Sequence, residues 1–197
     1  MFNLLGSLHY IVGLFVLCVG VAFSAHCGLG ASPIGTVPLA ISQSFNLNLG
    51  ICSALAMFFC VFLQIAMLRS KYKWINIFQV FTAVFFGLFV SLAEKALLFV
   101  FPEDPVSYIY QLLYLFVSII CIASGVYLYL KGRLLNLPAD SVFVVIHQKF
   151  GINIGNSKVL FDFSYTVLAV LICLSFMGEV TCVREGTLIS VLLVGKW

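Results

Sequence analysis

The sequence predicts an all-α fold: a polytopic transmembrane helix bundle of two inverted three-helix repeats, with short broken or re-entrant helices between the spans. Three observations carry that reading. Apolar residues fill 63% of the 197 positions and charged residues 9%, whereas about a quarter of an ordinary soluble domain is charged. The apolar residues gather into runs that reach the roughly 20 residues needed to cross a hydrocarbon layer about 30 Å thick. The chain also resembles itself: displaced by 105 residues, ten of 31 ungapped positions are identical, where chance in so biased a composition gives about two or three.

Six apolar segments follow one another, at 8–27, 49–69, 75–93, 107–130, 157–177 and 186–197. Helix is the economical conformation for each, because an open sheet edge in lipid leaves backbone groups unpaired. The last is too short to span at 1.5 Å per residue, so it is expected to be a partial helix or a shortened one. Glu94 and Lys95 are expected to close the third span at the interface, their stems snorkelling. The first run could be taken for a secretory signal. Residues 1–9 lack the Lys or Arg of a signal's opening region, and the run belongs to the repeat, so it is expected to stay in the protein.

The repeat pairs Gly20, Leu29, Pro33, Val37, Ile41, Gln43, Phe45, Asn48 and Gly50 with Gly125, Leu134, Pro138, Val142, Ile146, Gln148, Phe150, Asn153 and Gly155, and Val21 with Val126. With a three-residue gap, Thr82 meets Ser190 and Gly87 meets Gly195. The two units are therefore expected at 1–104 and 105–197, the second expected to be shortened at its end. Each holds a helix, a short polar-framed segment, a helix and a helix. Units with an odd number of spans must point opposite ways when joined in series, an arrangement from which many transporters build a central pathway. Duplication can equally produce a helix bundle that carries nothing.

Charge gives an orientation, since cytoplasmic loops are enriched in Lys and Arg. With the N-terminus inside, the cytoplasmic connections hold Arg69, Lys71, Lys73, Lys131, Arg133, Lys149 and Lys158, and the outer side holds Glu103, Asp104, Glu179, Arg184 and Glu185. The formal charge of +3 is spread thinly, which excludes the basic patch of a nucleic-acid binder. The seven cysteines form no C-x-x-C pair, and in apolar surroundings a thiol behaves as a small hydrophobe.

The short segments have central runs at 37–45 and 142–150, too brief to cross a bilayer, and are expected to dip into the membrane or lie on it. Pro33 and Pro138 suit a first helical turn, with Thr36 and Ser141 beside them. Free N–H groups at such a start can meet an anion or a carbonyl. Thr36, Gln43, Asp140, Ser141 and Gln148 are the expected pathway residues, with Pro33, Gly35, Gly50, Pro138 and Gly155 as hinges. Residues of these types also cap helices and make bends, which is the favoured role for Asn48 and Asn153. Asp162 lies inside the fifth span, where an ionisable group costs roughly 3 kcal/mol and faces protein or water. It is the first candidate for proton or cation coupling, unless it simply pairs with Lys158 one turn earlier. His147 has no second ligand at helical spacing, so no metal is expected. Nothing matches a nucleophile with its base, or a phosphate loop, so neither enzymatic activity nor a cofactor is expected.

The segments Gly28-Leu-Gly30-Ala-Ser-Pro33, Leu137-Pro-Ala-Asp140-Ser and Lys158-Val-Leu-Phe-Asp162 resemble the YczE/YyaS/YitT group of bacterial integral membrane proteins over nearly the whole chain. The resemblance implies a multi-pass protein of the bacterial cytoplasmic membrane and leaves its biochemical role open. Where that group often has Pro-Trp-Asp, this chain has Pro33-Ile-Gly35. It thus keeps Asp140 without a matching acid in the first half, and its final helix is expected to stop early. The expected function is a transporter-like permease for a small solute. The alternative is a membrane-embedded accessory or regulatory protein that acts through a protein partner. A homodimer is compatible with so few helices, although no G-x-x-x-G motif marks a face.

Overall fold

The fold is given by a computed structural model, which describes residues 4–69, 74–101, 107–132 and 134–187. Every regular element among them is helical: α1 (Leu4–Ala25), α2 (Pro33–Phe45), α3 (Leu49–Leu68), a 3-10 turn (Trp74–Phe78), α4 (Gln79–Val100), α5 (Tyr108–Gly132), α6 (Pro138–Phe150) and α7 (Ile154–Phe176). Five of these, α1, α3, α4 with its leading turn, α5 and α7, are long and apolar enough to cross a membrane. Their outward faces carry Leu8, Phe15, Phe62, Phe81, Leu88, Phe99, Phe116 and Phe163 in the open. So large an apolar surface suits acyl chains, not water. The sixth apolar segment lies outside the described residues from 188 onward.

Helix α1 packs along α5, and glycines bring the two backbones together. Gly13 faces Leu128 and Tyr129, Gly20 faces Cys121 and Ile122, and Gly132 faces Gly6 and Tyr10. Numbers that rise on one helix as they fall on the other make the pair antiparallel. The seam is also reciprocal: Gly20 sits against Ile122, and Gly125 sits against Leu17, which are the same two repeat positions with their helices exchanged. Ser118 tightens it by donating its hydroxyl to the Gly20 carbonyl at 2.9 Å.

The short helices cross between the halves. Helix α2 packs on α7 and α3, and α6 packs on α3 and α7. Both begin at their prolines, four residues before the apolar runs, because proline at the first turn gives up no hydrogen bond. Helix α2 ends on Asn46 and α6 on Gly151, both left-handed, a conformation that Asn and Gly adopt at low cost. Pro138 meets the last turns of α3. Pro33 instead follows Ser32, which is bonded to Ser24 at the end of α1. The two prolines therefore stand at opposite ends of the bundle.

Asn48 and Asn153 cap the following helices. The Asn48 Oδ1 accepts from the Gly50 and Ile51 backbone N–H groups, and the Asn153 Oδ1 from that of Gly155. Asn48 also accepts from the Ser91 hydroxyl and donates to Glu94 Oε2 at 3.4 Å. Helix α4 runs past Glu94 and Lys95 to Val100; the carboxylate at the expected boundary has partners inside the bundle, while Lys95 is exposed. Gly50 works as a close-approach residue, since a Cβ there would strike the Gly87 carbonyl and Ser91. Asn48→Ala is expected to cost about 1–2 kcal/mol through the lost cap, read as a lower thermal midpoint in detergent.

Candidate functional site

A cavity of about 950 Å³ opens between the ends of α3, α4 and α6. Its polar lining comes from Gln64, Asn76, Gln79, Asn136, Ser141 and Gln148, and its described charged residues are Arg69 and Lys149. Three of these side chains form a buried chain of hydrogen bonds. The Gln64 Nε2 donates to the Pro138 carbonyl at 3.0 Å and to Gln79 Oε1 at 3.1 Å. The Gln79 Nε2 donates to the Ser141 hydroxyl at 2.9 Å. Gln64 is 1% exposed and Gln79 4%, so each unpaired amide atom would cost about 1–3 kcal/mol. The pairing fixes the proline-led start of α6 against two spans.

A second cluster lies behind α6, facing α3 and α7. The Lys158 ammonium meets Asp162 Oδ2 at 2.6 Å, one turn apart on α7, with the Asp162 side chain 7% exposed and that of Lys158 22%. Lys158 also lies over the Phe143 ring, 6.0 Å from its centroid. Asp140 is close enough to feel both charges, yet has no hydrogen bond or ion pair of its own among the described residues. It occupies the first turn of the short helix α6. Burial raises its pKa to about 7, with the Lys158 ammonium lowering it and the Asp162 carboxylate adding to the rise. The Tyr165 hydroxyl, buried with no hydrogen-bonding oxygen or nitrogen beside it, adjoins the Cys60 thiol.

Of the six expected pathway residues, the structure brings Ser141 and Gln148 to the cavity. Asp140 lies within electrostatic reach of Asp162 in the cluster behind it. Thr36 is fully buried and donates to the Pro33 carbonyl of its own helix at 2.8 Å. Gln43 is exposed at the far end, where its Oε1 accepts from the Thr181 hydroxyl at 2.6 Å. The paired glutamines Gln43 and Gln148 therefore do not converge. Asp162 is engaged by Lys158, whereas Asp140 has no hydrogen bond or ion pair of its own among the described residues. Gln64 and Gln79 were not singled out from the sequence. Their signal was an amide within an otherwise apolar span.

The model of a family of unknown function, DUF6198, matches residues 5–197. The uncharacterized protein YyaS of Bacillus subtilis (strain 168) is 22% identical over 189 residues, covering 95% of this chain and 88% of that protein. No solved structure matches the chain.

Proposed function

This chain belongs to the DUF6198 family, and for a member with this cavity we propose a transporter-like permease that passes a small polar solute. One observation carries the reading: a polar cavity ends on buried amides at the start of a non-spanning helix. Those amides satisfy one another, and the cavity in front of them presents Asn76, Asn136 and Gln148, side chains suited to pairing with a polar solute. The lining charges, Arg69 and Lys149, favour a solute bearing negative charge.

Inverted repeats support the pathway. The antiparallel α1–α5 seam with its exchanged contacts, the short helices shared between halves and the opposed prolines are what two oppositely inserted copies of one unit produce. Arg69, Lys131, Lys149 and Lys158 fall at the end where α1 begins, and Glu94, Lys95, Glu179, Arg184 and Glu185 at the other, four bases against two. That bias supports a cytoplasmic N-terminus in a bacterial inner membrane. The cavity then opens to the cytoplasm, and Asp140 is the group that couples solute movement to a proton.

The test is uptake by purified protein in liposomes of a panel of radiolabelled small carboxylates, inorganic phosphate and zwitterionic amino acids. Saturable uptake of an anion is expected. Gln79→Leu, which removes the amide between Gln64 and Ser141, is expected to reduce it about tenfold, the equivalent of roughly 1.4 kcal/mol. Uptake insensitive to that change rules out this cavity as the route, and no uptake beside a stable protein partner in pull-down favours the accessory role.

A further inference from the structure

The end of α7 carries a feature that the cavity does not use. Cys173, in its last turn, and Cys182, beyond the turn at Gly178, are both fully buried with their Sγ atoms 2.8 Å apart. A disulfide bond measures about 2.05 Å, so joining them requires less than an ångström of travel.

The segment after Cys182 grips the connection between α1 and α2. The Ala31 N–H donates to the Cys182 carbonyl at 3.0 Å, and the Gly186 N–H to that of Leu29 at 2.9 Å. The Thr187 hydroxyl donates to the Ala31 carbonyl at 2.8 Å, and the Arg184 guanidinium to that of Gly28 at 2.9 Å. Fixing Cys182 to α7 holds this clasp in register, because one short loop then has both ends anchored. This end of the bundle has few bases, and in the orientation proposed above it faces outward, where disulfides persist.

We propose that Cys173 and Cys182 form a structural disulfide at the outer end of the protein. The bond joins the two sulfurs with loss of two protons, and two electrons pass to the disulfide of a thiol oxidase of the outer face, which becomes a dithiol. Attack by one cysteine gives a mixed disulfide, and the second cysteine displaces the oxidase thiol. Both sulfurs are enclosed in the finished fold, so the reaction belongs to maturation, before the clasp closes on the α1–α2 connection.

The experiment counts thiols on the full chain, expressed in the inner membrane of a bacterium with an oxidising periplasm. The protein is denatured in excess N-ethylmaleimide and its intact mass measured. Two fewer adducts are expected than after prior reduction, with a cross-linked peptide joining Cys173 to Cys182. In C182S the difference disappears, while in C18S it remains. An equal count before and after reduction overturns the proposal. A Glu179→Cys reporter in a C173S/C182S background, labelled by an impermeant maleimide on whole cells, separates the causes of such a failure. Outward labelling faults the disulfide alone, and protection faults the orientation as well.

Discussion

Gly125→Leu is expected to leave almost no folded protein. A Cβ at this position would lie 2.5 Å from the Leu17 backbone nitrogen and 2.7 Å from its Cα, and the remaining leucine atoms would push further into α1. Overpacking usually costs about 1–3 kcal/mol when side chains can move aside. Here the obstacle is backbone in a helix that packs along α5 for much of its length, so α1 and α5 must separate and Ser118 must release the Gly20 carbonyl. The measurement is the monodisperse fraction in size-exclusion chromatography after detergent extraction. Gly178→Asn is the control: that position has nothing within 4 Å of an added Cβ, and Asn tolerates its positive φ. It should behave like the parent protein.

Lys158→Met carries the second large effect. It removes the ammonium that lies 2.6 Å from Asp162 and leaves a carboxylate that is 7% exposed. Breaking a buried pair from one side costs about 3–5 kcal/mol, and a carboxylate within a span has few ways to recover hydration. Replacing both partners by apolar side chains of similar volume removes the unbalanced charge. The double variant K158M/D162L is accordingly expected to recover most of the stability lost in K158M, as judged by thermal midpoints in the same detergent. If the double variant is as unstable as the single one, the two side chains act independently and the pair is not what holds this part of α7.

Much of the architecture was legible because lipid leaves a chain few choices. Long apolar runs gave the five spans, and Pro33 and Pro138 marked where the short helices begin. The expected runs at 37–45 and 142–150 missed those first turns, because Gly35, Thr36, Asp140 and Ser141 interrupt the apolar pattern although the backbone there is already helical. The end of α4 was misplaced because Glu94 and Lys95 look like a boundary in sequence. Only the fold shows that Asn48 donates to the carboxylate of Glu94.

The site was less legible, for a different reason. Searching for residues kept in both halves favours Gln43 and Gln148, yet the buried chain of amides depends on Gln64, whose counterpart at the 105-residue offset is Ala169. Polar groups that only one copy of a duplicated unit carries are invisible to a search for likeness between copies. Asp162 was found by its depth in a span. Its engagement by Lys158, and the solitary state of Asp140, depend on how α6 lies against α7, which no local pattern specifies.

The crossing of the short helices also imposes an order on biosynthesis. Helix α2 takes the larger share of its cover from α7, which leaves the ribosome more than a hundred residues later. Until then the flank that α7 covers, with Phe45 beside Phe176, lacks its permanent neighbour. The nascent amino-terminal half must wait in the insertion machinery, or against lipid, for its complement to arrive.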